Sequence, residues 1–69
     1  MKFIRVMDEE DNVNLIPESA IELICCFQKR KSTDWCVRVV TGSNDYDELF
    51  ETEDDAMQHF NQLERQLNG

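Results

Sequence analysis

Seven carboxylates lie within eleven residues: Asp45, Asp47, Glu48, Glu51, Glu53, Asp54 and Asp55. Side chains of this type at this density can imitate a row of phosphates, since duplex DNA carries one charge per roughly 1.7 Å of its axis. Like charges closer than a Debye length of ~8–10 Å also repel one another in the folded chain. A set that costs stability points to contact with a cationic surface, with a solvated rim as the alternative. A second acidic run, Asp8-Glu9-Glu10-Asp11-Asn12, lacks the alternating ligand order, central glycine and distal glutamate of a calcium loop. It reads as a solvated turn.

Nucleophiles and soft metal ligands are few: Cys25, Cys26, Cys36 and His59. Cys25 and Cys26 are adjacent, so on a strand they point to opposite faces and cannot chelate one ion together. Cys26 and Cys36 come within reach of a disulfide or a shared ligand if their strands pair in the register set out below. Reduced thiols are the simpler account of an odd cysteine count. His59 lies toward the flank of a helical stripe and reads as a boundary side chain. With no Ser/Cys-His-acid arrangement in the chain, nucleophilic catalysis has no support. The expectation is a protein that is not an enzyme and uses neither metal nor cofactor. Lys29-Arg30-Lys31 is the one basic cluster, suited to solubilising a loop tip or holding an acidic partner.

Sixty-nine residues support a single domain with a small core, 1–69, which leaves no room for a deep enclosed site. Fifteen acids against seven bases give a net charge of -8, which disfavours direct binding to nucleic acid or to an anionic membrane. No stretch approaches the ~20 apolar residues of a membrane span. The N-terminal residues turn acidic at Asp8 before a signal-peptide core can form, so the expected location is cytoplasmic.

The elements that must position these groups are legible as patterns. Phe3 to Met7 reads as a strand, the acidic run as a hairpin turn, and Val13 to Ile16 as the returning strand interrupted by Pro17. Ala20 to Gln28 is ambiguous, because Ile21, Ile24, Cys25 and Gln28 also fit helical spacing behind a proline at the first turn. Its β-branched and aromatic composition, and Asp34 to Thr41 as a complementary partner, favour a strand. A loop symmetric about Lys31 would set Phe27 opposite Trp35, Cys25 opposite Val37 and Leu23 opposite Val39 on an apolar face. The other face would then pair Cys26 with Cys36, Ile24 with Arg38 and Glu22 with Val40, with Glu22 diagonal to Arg38.

Gly42-Ser43-Asn44-Asp45 reads as a turn and Tyr46 to Glu51 as a last strand. Thr52 to Leu67 reads as an amphipathic helix capped by the Thr52 hydroxyl, with Glu53, Asp54 and Asp55 at the positive end of its dipole. Its apolar stripe, Ala56, Phe60, Leu63 and Leu67, is expected to close a core against Leu23, Phe27, Trp35, Val37 and Val39. Asn68 and Gly69 suit a helix end. The fold class expected is α+β, an antiparallel sheet of four to five strands with one C-terminal helix packed on one face.

The run Val13-Asn14-Leu15-Ile16-Pro17-Glu18-Ser19-Ala20-Ile21-Glu22-Leu23-Ile24 resembles the middle of FlbD-type small bacterial proteins. In that family a first strand, a polar turn and a Leu-Ile/Asn-x-x-x-Ile-Glu-x-Ile stretch precede a further hairpin and a helix. The resemblance covers the first half of the chain and departs at Lys29-Arg30-Lys31-Ser32-Thr33. It implies a strand over 20–28 and transfers no functional residue. By size and acidity the chain is also similar to phage-encoded inhibitors, including anti-restriction and anti-CRISPR proteins, a likeness of class rather than of motif.

Together these features point to a small regulator or inhibitor that docks on a partner protein through Asp45, Asp47, Glu48, Glu51, Glu53, Asp54 and Asp55. In its sharper form it is a nucleic-acid mimic seated on a nucleic-acid-binding protein. The alternative is a self-associating structural module, such as a homodimer built through strand edges or through the face around Cys26, Ile24, Cys36 and Val40.

Overall fold

The computed structural model describes residues 2–68, so the expectation resting on Gly69 lies outside them. β1 (Phe3–Met7) and β2 (Val13–Pro17) pair antiparallel, and their alternate residues Ile4, Val6 and Ile16 are buried. The acidic run closes this hairpin around Asp8. Its Oδ1 accepts the N–H groups of Glu10 at 2.9 Å and Asn12 at 3.0 Å, and its Oδ2 accepts Asn14 Nδ2 at 3.2 Å. Asp11 takes a φ of 63°, a left-handed conformation that aspartate tolerates better than most residues. The backbone hydrogen bond from Asn12, ahead of those from Asn14 and Glu10, holds the Asp8 carboxyl below its ordinary value.

After Pro17, Glu18–Ala20 form a 3-10 turn and β3 (Ile21–Gln28) begins. The ambiguous segment is therefore a strand, because its β-branched and aromatic residues find a full-length partner in β4 (Trp35–Thr41). β5 (Asp45–Phe50) returns on the other side of β4, and the order is β3-β4-β5. Thr41 closes the turn between β4 and β5. Its N–H and Oγ1 donate to the Asn44 carbonyl at 2.9 and 2.8 Å, and its Oγ1 accepts the Asn44 N–H at 3.0 Å. The fold is α+β, with five antiparallel strands divided between a two-stranded and a three-stranded sheet and a C-terminal helix, α1 (Glu53–Asn68), packed against them.

The β3-β4 register differs by one residue from the sequence expectation. Gln28 faces Trp35, Phe27 faces Cys36, Cys26 faces Val37, Cys25 faces Arg38 and Ile24 faces Val39. The cause is the loop. Lys29 N–H donates to the Asp34 carbonyl at 3.0 Å, Lys31 turns the chain at φ 59°, and Ser32 Oγ accepts the Asp34 N–H at 3.0 Å. The loop thus runs over residues 30–33 instead of 29–33, and every side chain from Leu23 to Gln28 changes its cross-strand partner.

The core is correspondingly different. Ile24, Cys26 and Trp35 pack with Val37 and Val39, whereas Leu23 is 55 % exposed. Phe27 shares the opposite face with Cys36. A bulge between Ile21 and Leu23 sets Ile21 opposite Thr41, so that Ile21 and Ile24 both reach the core. Helix α1 starts as its sequence dictates. The Asp55 N–H donates to Thr52 Oγ1 at 3.2 Å and the Ala56 N–H to the Thr52 carbonyl at 3.2 Å. Ala56 and Leu63 are buried against Ile4, Val6, Ile16, Val37 and Val39, with Phe60 and Leu67 packed on that cluster. Each large side chain so buried contributes about 1.5–3 kcal/mol before entropy is counted.

Candidate functional site

The seven carboxylates are positioned by β5 and by the first turn of α1, and period-two alternation divides them. Asp45 and Asp47 lie on the outer face of the three-stranded sheet, opposite Val40 and Arg38. Glu48 lies on the inner face with Tyr46 and Phe50, opposite Val37. Asp45, Glu51, Glu53, Asp54 and Asp55 are exposed, whereas Asp47 and Glu48 are half-buried and engaged.

Asp47 is held by Arg38 in a two-pronged contact. Nε donates to Oδ1 at 2.8 Å and Nη2 to Oδ2 at 3.0 Å. The guanidinium carbon also sits 5.0 Å from the centroid of the Phe27 ring, within the range of a cation–π contact. The hydrogen bonds that Arg38 donates to Asp47 push the Arg38 pKa up, against the opposing effect of burial. Arg38 therefore pairs across β4-β5, and its expected diagonal partner, Glu22, is not the residue it meets. Glu48 Oε1 lies 3.2 Å from His59 Nε2, without the alignment of a hydrogen bond. The His59 ring is 5.2 Å from that of Phe50, tilted by 39°. His59 is a boundary residue between helix and sheet, and it ties α1 to β5.

Folding adds three acids to this rim. The β1-β2 turn stands beside β5, and Asp8, Glu9, Glu10, Asp45 and Asp47 line one open groove of about 290 Å³. Glu9 also meets Lys29 Nζ at 3.2 Å. Lys29 is thereby engaged, while Arg30 and Lys31 stay exposed at the loop tip. No local signal in the sequence brings 8–10 to 45–47. The pairing of Arg38 did leave a trace, since a cation set among Val37, Val39 and Val40 requires a partner to offset its desolvation.

The cysteines are separated by the register. Cys26 points to the core and Cys36 to the outer face, so the expected juxtaposition of these two thiols does not occur, and all three cysteines are free. Cys36 is 0 % exposed although it lies on the outer face. Burial first, and then the Asp47 carboxylate, push its thiol up to about 11. Burial, followed by Glu53 and Cys25, raises that of Cys26. Among the described residues, no three or more His, Cys, Asp or Glu side chains are grouped so as to hold a metal ion. Both Asp8 oxygens are occupied by the turn itself. No described helix is long and apolar enough to cross a membrane.

No protein-family model matches the chain, and no curated protein or solved structure matches it either. The site is a set of carboxylates carried by the β1-β2 turn, β5 and the first turn of α1, braced by the Arg38-Asp47 pair.

Proposed function

We propose that this protein is a small non-catalytic regulator or inhibitor that docks by its acidic rim on a cationic surface of another protein. The surface it occupies is a nucleic-acid-binding groove, as in anti-restriction or anti-CRISPR inhibition. The observation that carries this reading is the convergence of Asp8, Glu9 and Glu10 on Asp45 and Asp47, to which the exposed acids Glu51, Glu53, Asp54 and Asp55 add negative charge at the end of β5 and the start of α1. Such a rim concentrates negative potential where a row of lysine and arginine side chains can meet it. Asp47 serves here as a brace, because its carboxylate is already committed to Arg38, and Glu48 is half-buried beside His59. A cytoplasmic location belongs to the same reading.

The test uses a partner captured from the native host. Reversal of the exposed acids, Asp45→Lys with Glu51→Lys and Asp54→Lys, should abolish binding while Arg30→Glu leaves it intact. Duplex DNA should compete for the partner. Affinity should fall by about tenfold or more as salt rises from roughly 50 to 200 mM. Binding that ignores charge reversal and salt would overturn the mimic. A homodimer is the competing reading, and a single monomeric species in sedimentation at micromolar concentration would remove it.

A further inference from the structure

The β1-β2 hairpin buries one face and leaves the other open. Phe3 is 53 % exposed, Met7 36 %, Val13 50 % and Leu15 68 %. In the register Phe3↔Pro17, Arg5↔Leu15 and Met7↔Val13, these residues surround Arg5 on one side of the ribbon. The open apolar face is on the order of 400 Å², as large as the largest patch of an ordinary monomer.

The backbone of the same residues is also open. Asp8 N–H bonds to the Asn12 carbonyl at 3.1 Å and Glu18 N–H to the Lys2 carbonyl at 2.9 Å, so the even-numbered positions are the hydrogen-bonded pairs of the ladder. Alternation then turns the N–H and C=O groups of Val13 and Leu15 away from β1. β2 has β1 as its only strand partner among the described residues, and it is β1 that comes close to β5. Pro17, at the end of this edge, has no N–H to leave unpaired.

We propose that the free edge of β2 accepts an extended segment of a partner protein as an added strand. That segment carries alternating apolar side chains and a carboxylate. The charge follows from Arg5, the one charged residue of the two hairpin strands and a cation in a chain of net charge -8, with Lys2 directly before β1. Among the described residues neither is ion-paired. A second copy fits poorly. Two such faces would bury about 800 Å² in total, short of the ~1,200–2,000 Å² of a specific interface, and would set Arg5 against Arg5. Strand addition supplements the small apolar area with main-chain hydrogen bonds. This inference does not depend on the acidic rim.

The probe is a synthetic peptide of alternating valine and threonine with a central glutamate, compared with siblings carrying glutamine or lysine there, against the full chain by amide NMR. Shifts should concentrate at Val13, Asn14 and Leu15, with the lysine peptide about tenfold weaker than the glutamate one. Arg5→Glu, a change at an exposed side chain, should invert that order. N-methylation of the peptide along one edge should abolish binding. Four outcomes would overturn the proposal: binding by none of the peptides, shifts centred on the acidic rim, indifference to N-methylation, or a concentration-dependent dimer dissolved by Leu15→Lys.

Discussion

The three-stranded sheet and the two-stranded hairpin are built from the same kind of strand, yet the outer face of the first is partly occupied by its own side chains while that of the second is open. In β3-β4-β5 the inner face packs on α1. The outer face is occupied at Cys36 and at the Arg38-Asp47 pair, which Phe27 flanks. In β1-β2 the inner residues Ile4, Val6 and Ile16 join the same core while Phe3, Met7, Val13 and Leu15 face outward. A two-stranded ribbon is marginal by itself, so the hairpin depends on the core for its fold. Its outer face is therefore available for contact, whereas the larger sheet gives its inner face to the core and the middle of its outer face to Cys36 and the Arg38-Asp47 pair, with Leu23 and Leu49 exposed beside them.

If the sheet is the committed region, its core should be the most sensitive place. Leu63→Ala, at a side chain 2 % exposed, should destabilise the protein by about 3 kcal/mol in urea unfolding, a large share of what so small a core supplies. Cys36 should show the same commitment through pH. Its folded value of about 11 lies above the ordinary 9.0. The neutral thiol is therefore favoured by folding, and that contribution is complete below about pH 9 and is lost as pH rises toward 11. The slope should approach about 1.4 kcal/mol per pH unit in that window. It should be absent from the difference curve of Cys36→Ala, and alkylation of folded protein should spare Cys36.

Asp47→Ala should cost about 1–2 kcal/mol in the same unfolding assay, because it leaves a half-covered guanidinium without its partner. The figure is discounted for the 38 % exposure of the Arg38 side chain. The smallest effect should come from the hairpin. Leu15→Thr should change stability by less than about 0.5 kcal/mol, although the residue is large and apolar. A loss comparable to that of Leu63→Ala would mean that the outer face of the hairpin is structural and would erase the contrast between the two regions.

The contrast was only partly legible in the residues. Thr52 with Glu53, Asp54 and Asp55 announces a helix start because capping involves neighbours a few positions apart, and Ala56, Phe60, Leu63 and Leu67 announce its buried face by period alone. The acidic run around Asp8, and Gly42 to Asp45, announce turns for the same local reason. The strand over Ile21–Gln28 was favoured by composition and established by its partner. The register lies one residue from the one the residues suggest, because a loop of four and a loop of five differ only in whether Lys31 turns left-handed and Ser32 caps Asp34. That small difference moved Leu23 and Phe27 out of the expected core and parted Cys26 from Cys36.

The sequence by itself determined the capped helix, the turns and the density of acids from Asp45 to Asp55, since each depends on residues close together along the chain. Tertiary structure decided which of those acids are free. It turned Glu48 inward to His59, bound Asp47 to Arg38, brought Asp8, Glu9 and Glu10 alongside, and left one face of the hairpin uncovered. These outcomes depend on register and on contacts between distant segments. In a strand one residue of slip exchanges partners and faces together, so no local pattern can specify them.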